Sequence, residues 1–226
     1  MDNQNINYSN FFDVKHYNRS YRQRIKSRDL ISFQVKEAES DLLIQAPVLL
    51  QKEGLSALRH FRNVLEEYIR KNLEFKDTLK PYPFDNFAHP MIKEMIKASA
   101  ICQVGPMAAV AGCISQYTAE RLLTKTDEVI IENGGDLYLK SSHIRKVIIY
   151  AGLSPLSNKI YLKIDSRKKG IGLCTSSGTV GPSFSMGKAD AVTVLSNSAA
   201  LADAAATAIG NIILTKADIK KGLKVA

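Results

Sequence analysis

A chain of 226 residues, 45% of them hydrophobic, can bury the core of one large domain or of two packed lobes. Its 31 Lys and Arg against 22 Asp and Glu leave a formal charge of +9, which favours anionic partners such as phosphorylated small molecules, nucleic acid or an acidic surface. The three cysteines, Cys102, Cys113 and Cys174, form no C-x-x-C pair, which argues against a disulfide framework and a zinc site and leaves buried free thiols as the expectation.

Residues 1–13 are Asn-rich and are expected to be disordered. The N-terminus has no apolar h-region, and no run approaches the roughly 18 apolar residues of a membrane span. A cytoplasmic protein with no membrane partner is the expectation. From Val14 to Arg28 basic residues alternate with tyrosines, which predicts an edge strand rather than a nucleic-acid strip. Strands are predicted around Ile31–Val35 and Leu42–Ile44, and a helix over Leu55–Leu73 from its 3.6-residue apolar period, with His60 on its surface.

The Pro-rich stretch Lys80–Pro90 reads as a loop, with His89 exposed in it. Residues 14–226 form a single domain in this reading. If the chain makes two intimately packed lobes instead, the boundary falls near 80–90. Helices follow over Met91–Ala100 and from Gly105-Pro106 to about Leu123. Strands are then predicted at Glu128–Glu132, Leu137–Leu139, Ile144–Tyr150, Ile160–Ile164, Gly172–Thr175 and Ala191–Ser196, before a closing helix at Ala199–Leu214. This order implies an α+β fold with a mixed or antiparallel sheet and packed helices.

Four segments carry candidate chemistry. Gly105, Pro106 and Met107 open a helix whose free amides and positive dipole end suit an anion; a tightly packed small-residue helix explains them equally well. Asn133, Gly134, Gly135 and Asp136 form a turn, the ordinary explanation for such a run, that offers polar groups to a ring or a ribose. Thr175, Ser176, Ser177 and Gly178 make a hydroxyl-rich loop able to hold phosphate oxygens, although no P-loop lysine follows. Asp203 and Thr207, four residues apart on the last helix, can share a hard cation; a Thr207 bond back to the Asp203 carbonyl is the plain alternative.

In that order, VGPMAAVAG, ENGGDLYL, TSSGTVG, ADAVTV and LADAAATAIGN resemble the landmarks of the ApbE superfamily, the magnesium-dependent FAD:protein FMN transferases, over roughly residues 100–214. The whole chain is most similar to a cytoplasmic branch of that superfamily found in archaea and bacteria. The resemblance implies that Gly134, Gly135 and Asp136 stand for the family's G-G-D motif. It implies that Asp203 and Thr207 hold Mg2+ together with a backbone carbonyl near Val110 or Ala111, and that Ser177 and Gly178 lie beside a flavin, FAD or FMN. Three features depart from the pattern. Val110-Ala111-Gly112 lacks the family's lysine, the GPSFSMGKAD segment lacks its histidine and Asp-Pro pair, and Pro182 stands about where that histidine is expected.

The resulting expectation is a protein that binds a flavin or another nucleotide diphosphate with Mg2+, acting as a flavin-nucleotide transferase or as an FAD pyrophosphatase-like hydrolase. Asp136 or Asp190 would then orient a nucleophile. The alternative is a non-catalytic nucleotide-binding module or a subunit of a metabolic assembly. RNA binding through Val14–Arg28 and the tail Lys216–Lys224 is the weakest reading, and a homodimer is the commonest assembly for such a chain.

Overall fold

The computed structural model describes Arg19, Tyr21, Arg22, Ser27, residues 29–180 and residues 185–225. The expected disorder of residues 1–13 and the position of Pro182 lie outside the described residues.

Strands β1 (Ile31–Glu37) and β2 (Ser40–Ala46) form the first hairpin. Helix α1 (Gln51–Lys71) buries Ala57, Leu58, Phe61 and Leu65, the stripe its 3.6-residue period demands. A single helical turn, α2 (Glu74–Asp77), precedes the Pro-rich loop, which leads into α3 (Pro90–Cys102). Pro90 takes the first helical position, where no amide is needed. His89 does not merely sit in the loop: its Nδ1 accepts the Met91 N–H at 3.1 Å and caps the helix. Burial, and then the neighbouring His60, lower the His89 pKa, so the neutral capping form persists. His89→Ala is expected to cost about 1 kcal/mol in urea unfolding at neutral pH. The cap's contribution should be present above the ordinary histidine pKa and fade as pH falls through the lowered one.

The helix expected from Gly105-Pro106 opens there as a tighter turn that runs directly into the α-helix. Pro106–Ala109 is a 3-10 turn, and α4 runs Val110–Leu122. A Cβ on Gly105 would lie 1.9 Å from the Thr78 carbonyl oxygen, so this glycine serves a close chain crossing.

Strands β3 (Val129–Asn133), β4 (Asp136–Lys140), β7 (Ile171–Ser176) and β8 (Val192–Ser196) join β1 and β2 in one sheet, ordered β1-β2-β3-β4-β7-β8. Every neighbouring pair is antiparallel. Strands β5 (Arg145–Ile148) and β6 (Tyr161–Ile164) form a separate two-stranded ribbon. Helix α5 (Ala199–Ile212) and the short α6 (Ile219–Val225) close the chain.

The architecture is three-layered. Helices α1, α4 and α5 cover one sheet face over a core that runs from Phe33 to Ala204. On the other face the ribbon packs Val147, Leu162 and Ile164 over Leu30, Ile130, Leu139 and Leu173. Cys113 and Cys174 are buried free thiols as expected, while Cys102 is half-buried. Tyr21 and Arg22 lie in a 3-10 turn and not in an edge strand, because their side chains turn inward to ion partners; most of Val14–Arg28 lies outside the described residues.

Candidate functional site: a cavity beside the Gly-Gly-Asp turn

The β3–β4 hairpin turns on Gly134 (φ +68°) and Gly135 (φ +108°), with Asn133 facing Asp136 in register. Both central residues need positive φ, which glycine alone adopts without strain. The Gly135 N–H donates to Glu132 Oε1 at 2.8 Å and holds the turn. Alternation along these strands sends Ile130, Glu132, Leu137 and Leu139 to the ribbon side of the sheet and Ile131 and Tyr138 to the helix side.

Strand β7 alternates in the same way. Leu173, Thr175 and Ser177 face the ribbon side. Gly172, Cys174 and Ser176 face α5: a Cβ on Gly172 would meet the Ala199 Cα at 2.3 Å, and the Cys174 thiol donates to the Ala199 carbonyl at 3.4 Å. Between sheet and ribbon lies a cavity of about 820 Å³. Its apolar wall comes from Leu43, Ile130, Leu137, Leu139 and Leu173, and its far wall from the β5 edge and Tyr150. Thr175 and Thr193 present paired hydroxyls at 3.0 Å.

One side of the cavity is made by the N-terminal segment. The Tyr21 hydroxyl donates to Glu132 Oε1 at 2.6 Å, and Arg22 Nε donates to Glu132 Oε2 at 2.5 Å. Arg22 also bonds the Asp41 carboxylate at 2.7 Å, and Arg19 Nη1 donates to the Asp41 carbonyl at 2.6 Å. The Tyr21 ring stacks on Tyr150, with centroids 5.6 Å apart. Burial, and then Glu132, push the Tyr21 hydroxyl pKa well up, so it stays a donor.

The cavity ends at Ala111, Asn133 and Asp136, where the strand turn meets α4. There α4 and α5 cross at Gly112, whose missing Cβ would lie 2.3 Å from the Ala199 carbonyl oxygen and 2.9 Å from the Asp203 Cβ. That approach lets Asp203 Oδ2 accept the Gly112 N–H at 2.9 Å. Asp203 therefore supplies the start of α4, whose own N-cap residue Ala109 makes no side-chain bond, with an acceptor. Gly112→Ala is expected to cost about 2–3 kcal/mol in chemical unfolding, because both clashing groups belong to packed helices.

Asp136 faces the same junction. Its Oδ1 accepts the Thr175 N–H at 3.2 Å. Burial raises the Asp136 pKa, and Glu132 adds to the shift; burial and then the Asp136 charge raise that of Asp203. Both carboxylates are half-buried, and backbone amides of Thr175 and Gly112 donate to them. Nearby, the Ala111 carbonyl accepts from Ser115 Oγ at 2.8 Å and from Asn133 Nδ2 at 3.3 Å. Thr207 stands one turn beyond Asp203 on α5.

The predicted site residues separate accordingly. Asn133, Gly134, Gly135, Asp136, Thr175, Ser177 and Ala111 line the cavity, and Asp203 stands behind Ala111 and Gly112. Gly105, Pro106 and Met107 do not line it; Pro106 is buried and Gly105 abuts Thr78. Ser176 faces α5, and Gly178 serves a close crossing, since its Cβ would meet the Gly187 carbonyl oxygen at 2.2 Å. Asp190 is exposed and accepts the Thr179 hydroxyl at 3.0 Å, away from the cavity. The Ser177 hydroxyl accepts the Thr179 and Val180 amides, at 3.1 and 2.8 Å, and closes its own turn. Sequence reasoning missed Arg19, Tyr21, Tyr150 and the apolar floor; the two-residue alternation of β3, β4 and β7 is the signal that exposes the floor.

A second acidic cluster, Asp29, Glu128 and His143, has ligand atoms within 4.8 Å of one another. Arg145 already forks between Asp29 and Glu128. Burial alone would raise the Glu128 carboxyl; Ser141, Ser142 and Arg145 hold it down at about 2. A guanidinium fills the place of a cation there.

This arrangement, an antiparallel sheet flanked by helices with a Gly-Gly-Asp turn at a junction of two helices, belongs to a known class. The family described as AbpE bacteria matches residues 22–222, and the chain belongs to that ApbE-like family. It is 44% identical over 173 residues to a UPF0280 protein of Methanothrix thermoacetophila, covering 75% of this chain and 72% of the relative. It is 46% identical over 187 residues to a UPF0280 protein of Methanococcus vannielii, covering 81% and 75%. In fold it is similar to the apo flavinyl transferase ApbE of Pseudomonas stutzeri, with TM-score 0.55 at 14% identity over 87% of both chains. The H257G mutant of the Vibrio cholerae flavin transferase ApbE gives the same TM-score and identity over 87% and 89%.

Proposed function

We propose that the chain binds a flavin nucleotide, with FAD the first candidate, in the 820 Å³ cavity, together with Mg2+ at its inner end, and cleaves or transfers at the diphosphate. The single observation that carries this reading is the Asp136–Asp203 pair. Loss of solvation raises both carboxyls, the Asp136 charge raises that of Asp203 further, and neither makes a salt bridge among the described residues, which suits a divalent ion. The similar folds of two proteins titled flavin or flavinyl transferase support the choice of flavin.

In this reading Asp203 and Asp136 hold the ion, with Thr207 one turn along α5 and the Ala111 carbonyl beside them. The ion would supply charge neutralisation for diphosphate oxygens as a P–O bond breaks. The chain's own part is positioning. The apolar floor from Leu43 to Leu173 takes the flat ring, and Tyr150, backed by Tyr21, bounds it. The Thr175 and Thr193 hydroxyls offer hydrogen bonds to polar substituents.

The absence of a lysine at Val110-Ala111-Gly112 favours a second reading, a binding module that holds the nucleotide without turnover. One experiment separates the two. Purified protein is incubated with FAD and Mg2+, and FMN and AMP are resolved by chromatography beside a calorimetric titration. Product release supports the enzyme; saturable binding without product supports the module; neither result rejects both.

A further inference from the structure

The ribbon's outer face is unlike the rest of the surface. Val147, Leu162 and Ile164 are packed inward; Lys146, Ile148 and Tyr161 are exposed where they border the cavity, and Lys163 is exposed away from it. Lys146 and Lys163 are direct cross-strand partners, and like charges set opposite one another destabilise a ribbon. Between Ile144 and Ile164 the sequence has four basic residues and no acidic one. Arg145 among them is paired; Lys146, Lys159 and Lys163 make no ion pair among the described residues.

Beyond the strands the Ile149 N–H donates to the Ile160 carbonyl at 3.0 Å and extends the ribbon into the loop 150–159. This loop is braced from within: the Asn158 N–H donates to the Ile149 carbonyl at 2.9 Å and the Ala151 N–H to Ser157 Oγ at 3.0 Å. The braced loop nevertheless carries Leu153 fully exposed and Leu156 57% exposed, beside Ile160 and Ile148. Lys159 ends this loop beside the apolar tip, and Lys163 lies further along the ribbon.

We propose that this face docks on an anionic lipid bilayer, with Leu153 and Leu156 entering the headgroup boundary and Lys159 and Lys163 meeting the anionic headgroups. An exposed apolar tip flanked by lysines, with no acidic residue between Ile144 and Ile164, complements an anionic lipid surface. No single helix among the described residues is long and apolar enough to cross a membrane, so the contact is peripheral.

The test is co-sedimentation of the full chain with phosphatidylglycerol/phosphatidylcholine vesicles and with pure phosphatidylcholine vesicles. Binding is expected to the first and not to the second, and to weaken with salt. Leu153→Glu with Leu156→Glu should abolish it, and Lys159→Gln or Lys163→Gln should each weaken it about fivefold. None of these four side chains lines the cavity, so FAD titration of the same variants reads the flavin proposal separately. All four are exposed, and unchanged thermal melts check that the variants fold. Absence of binding to anionic vesicles, or binding that survives the double leucine change, overturns the proposal. So does capture of soluble polyglutamate without vesicle binding, which assigns the surface to an acidic polypeptide.

Discussion

Asp203→Asn is expected to remove magnesium-dependent flavin binding while raising the stability of the metal-free protein. The two effects share one cause. Asp203 and Asp136 are half-buried near one junction; loss of solvation raises both pKa values, Glu132 adds to that of Asp136, and the Asp136 charge adds to that of Asp203. A carboxyl whose folded pKa lies above its unfolded value binds more protons in the folded state. The folded form is therefore favoured at low pH and loses that advantage as pH rises from about 4 through the raised values. Asparagine ends this loss by removing one charge, and its side-chain oxygen can still accept the Gly112 N–H that Asp203 accepts at 2.9 Å. A gain of about 1 kcal/mol at neutral pH, seen as roughly 3 °C in thermal melts, is the expected result. The same variant should lose the melting-temperature rise expected of the parent protein with Mg2+ and FAD, and at least about a hundredfold of any turnover. A variant that melts lower than the parent at neutral pH, yet keeps the Mg2+ response, would place the cation elsewhere.

Arg22→Ala is the second large effect, and it acts on stability first. The Arg22 side chain is 10% exposed and the Glu132 side chain 5%. Removing the guanidinium strands a buried carboxylate, with the Tyr21 hydroxyl and the Gly135 amide as its remaining donors. Breaking such a pair costs about 3 kcal/mol or more, here roughly 9 °C in melting temperature. Glu132→Gln in the same background should recover much of the loss, because the uncompensated charge goes with it; the double-mutant cycle measures the coupling. The Gly134-Gly135 turn depends on Glu132, and Tyr150 on Tyr21, so flavin affinity should fall with Arg22→Ala even where the protein remains folded.

Much of the fold was legible because its signals are local. The 3.6-residue stripe of α1, the Asn-Gly-Gly turn between β3 and β4, and the Ala-rich α5 each state their own geometry within about twenty residues. The sequence placed a helix start at Gly105-Pro106, because glycine followed by proline is the usual sign of one. The structure uses Gly105 for a chain crossing with Thr78, a partner 27 positions away that no local pattern reveals. The same limit explains the hydroxyl run. Composition treats Thr175, Ser176, Ser177 and Gly178 as one loop, whereas strand alternation turns Thr175 and Ser177 toward the cavity and Ser176 toward α5. Asp190 looked suitable by its position one strand before α5, but its nearest hydroxyl, Thr179, holds it at the surface. The Arg22–Glu132 pair joins residues 110 apart, and only the folded chain brings them together.

The role of the carboxylate pair is tested most directly by calorimetric titration of the metal-free protein with FAD, in EDTA and again with excess Mg2+. The account predicts saturable binding with Mg2+ and loss of most of that affinity in EDTA. Equal affinity in both, or no binding in either, would contradict it.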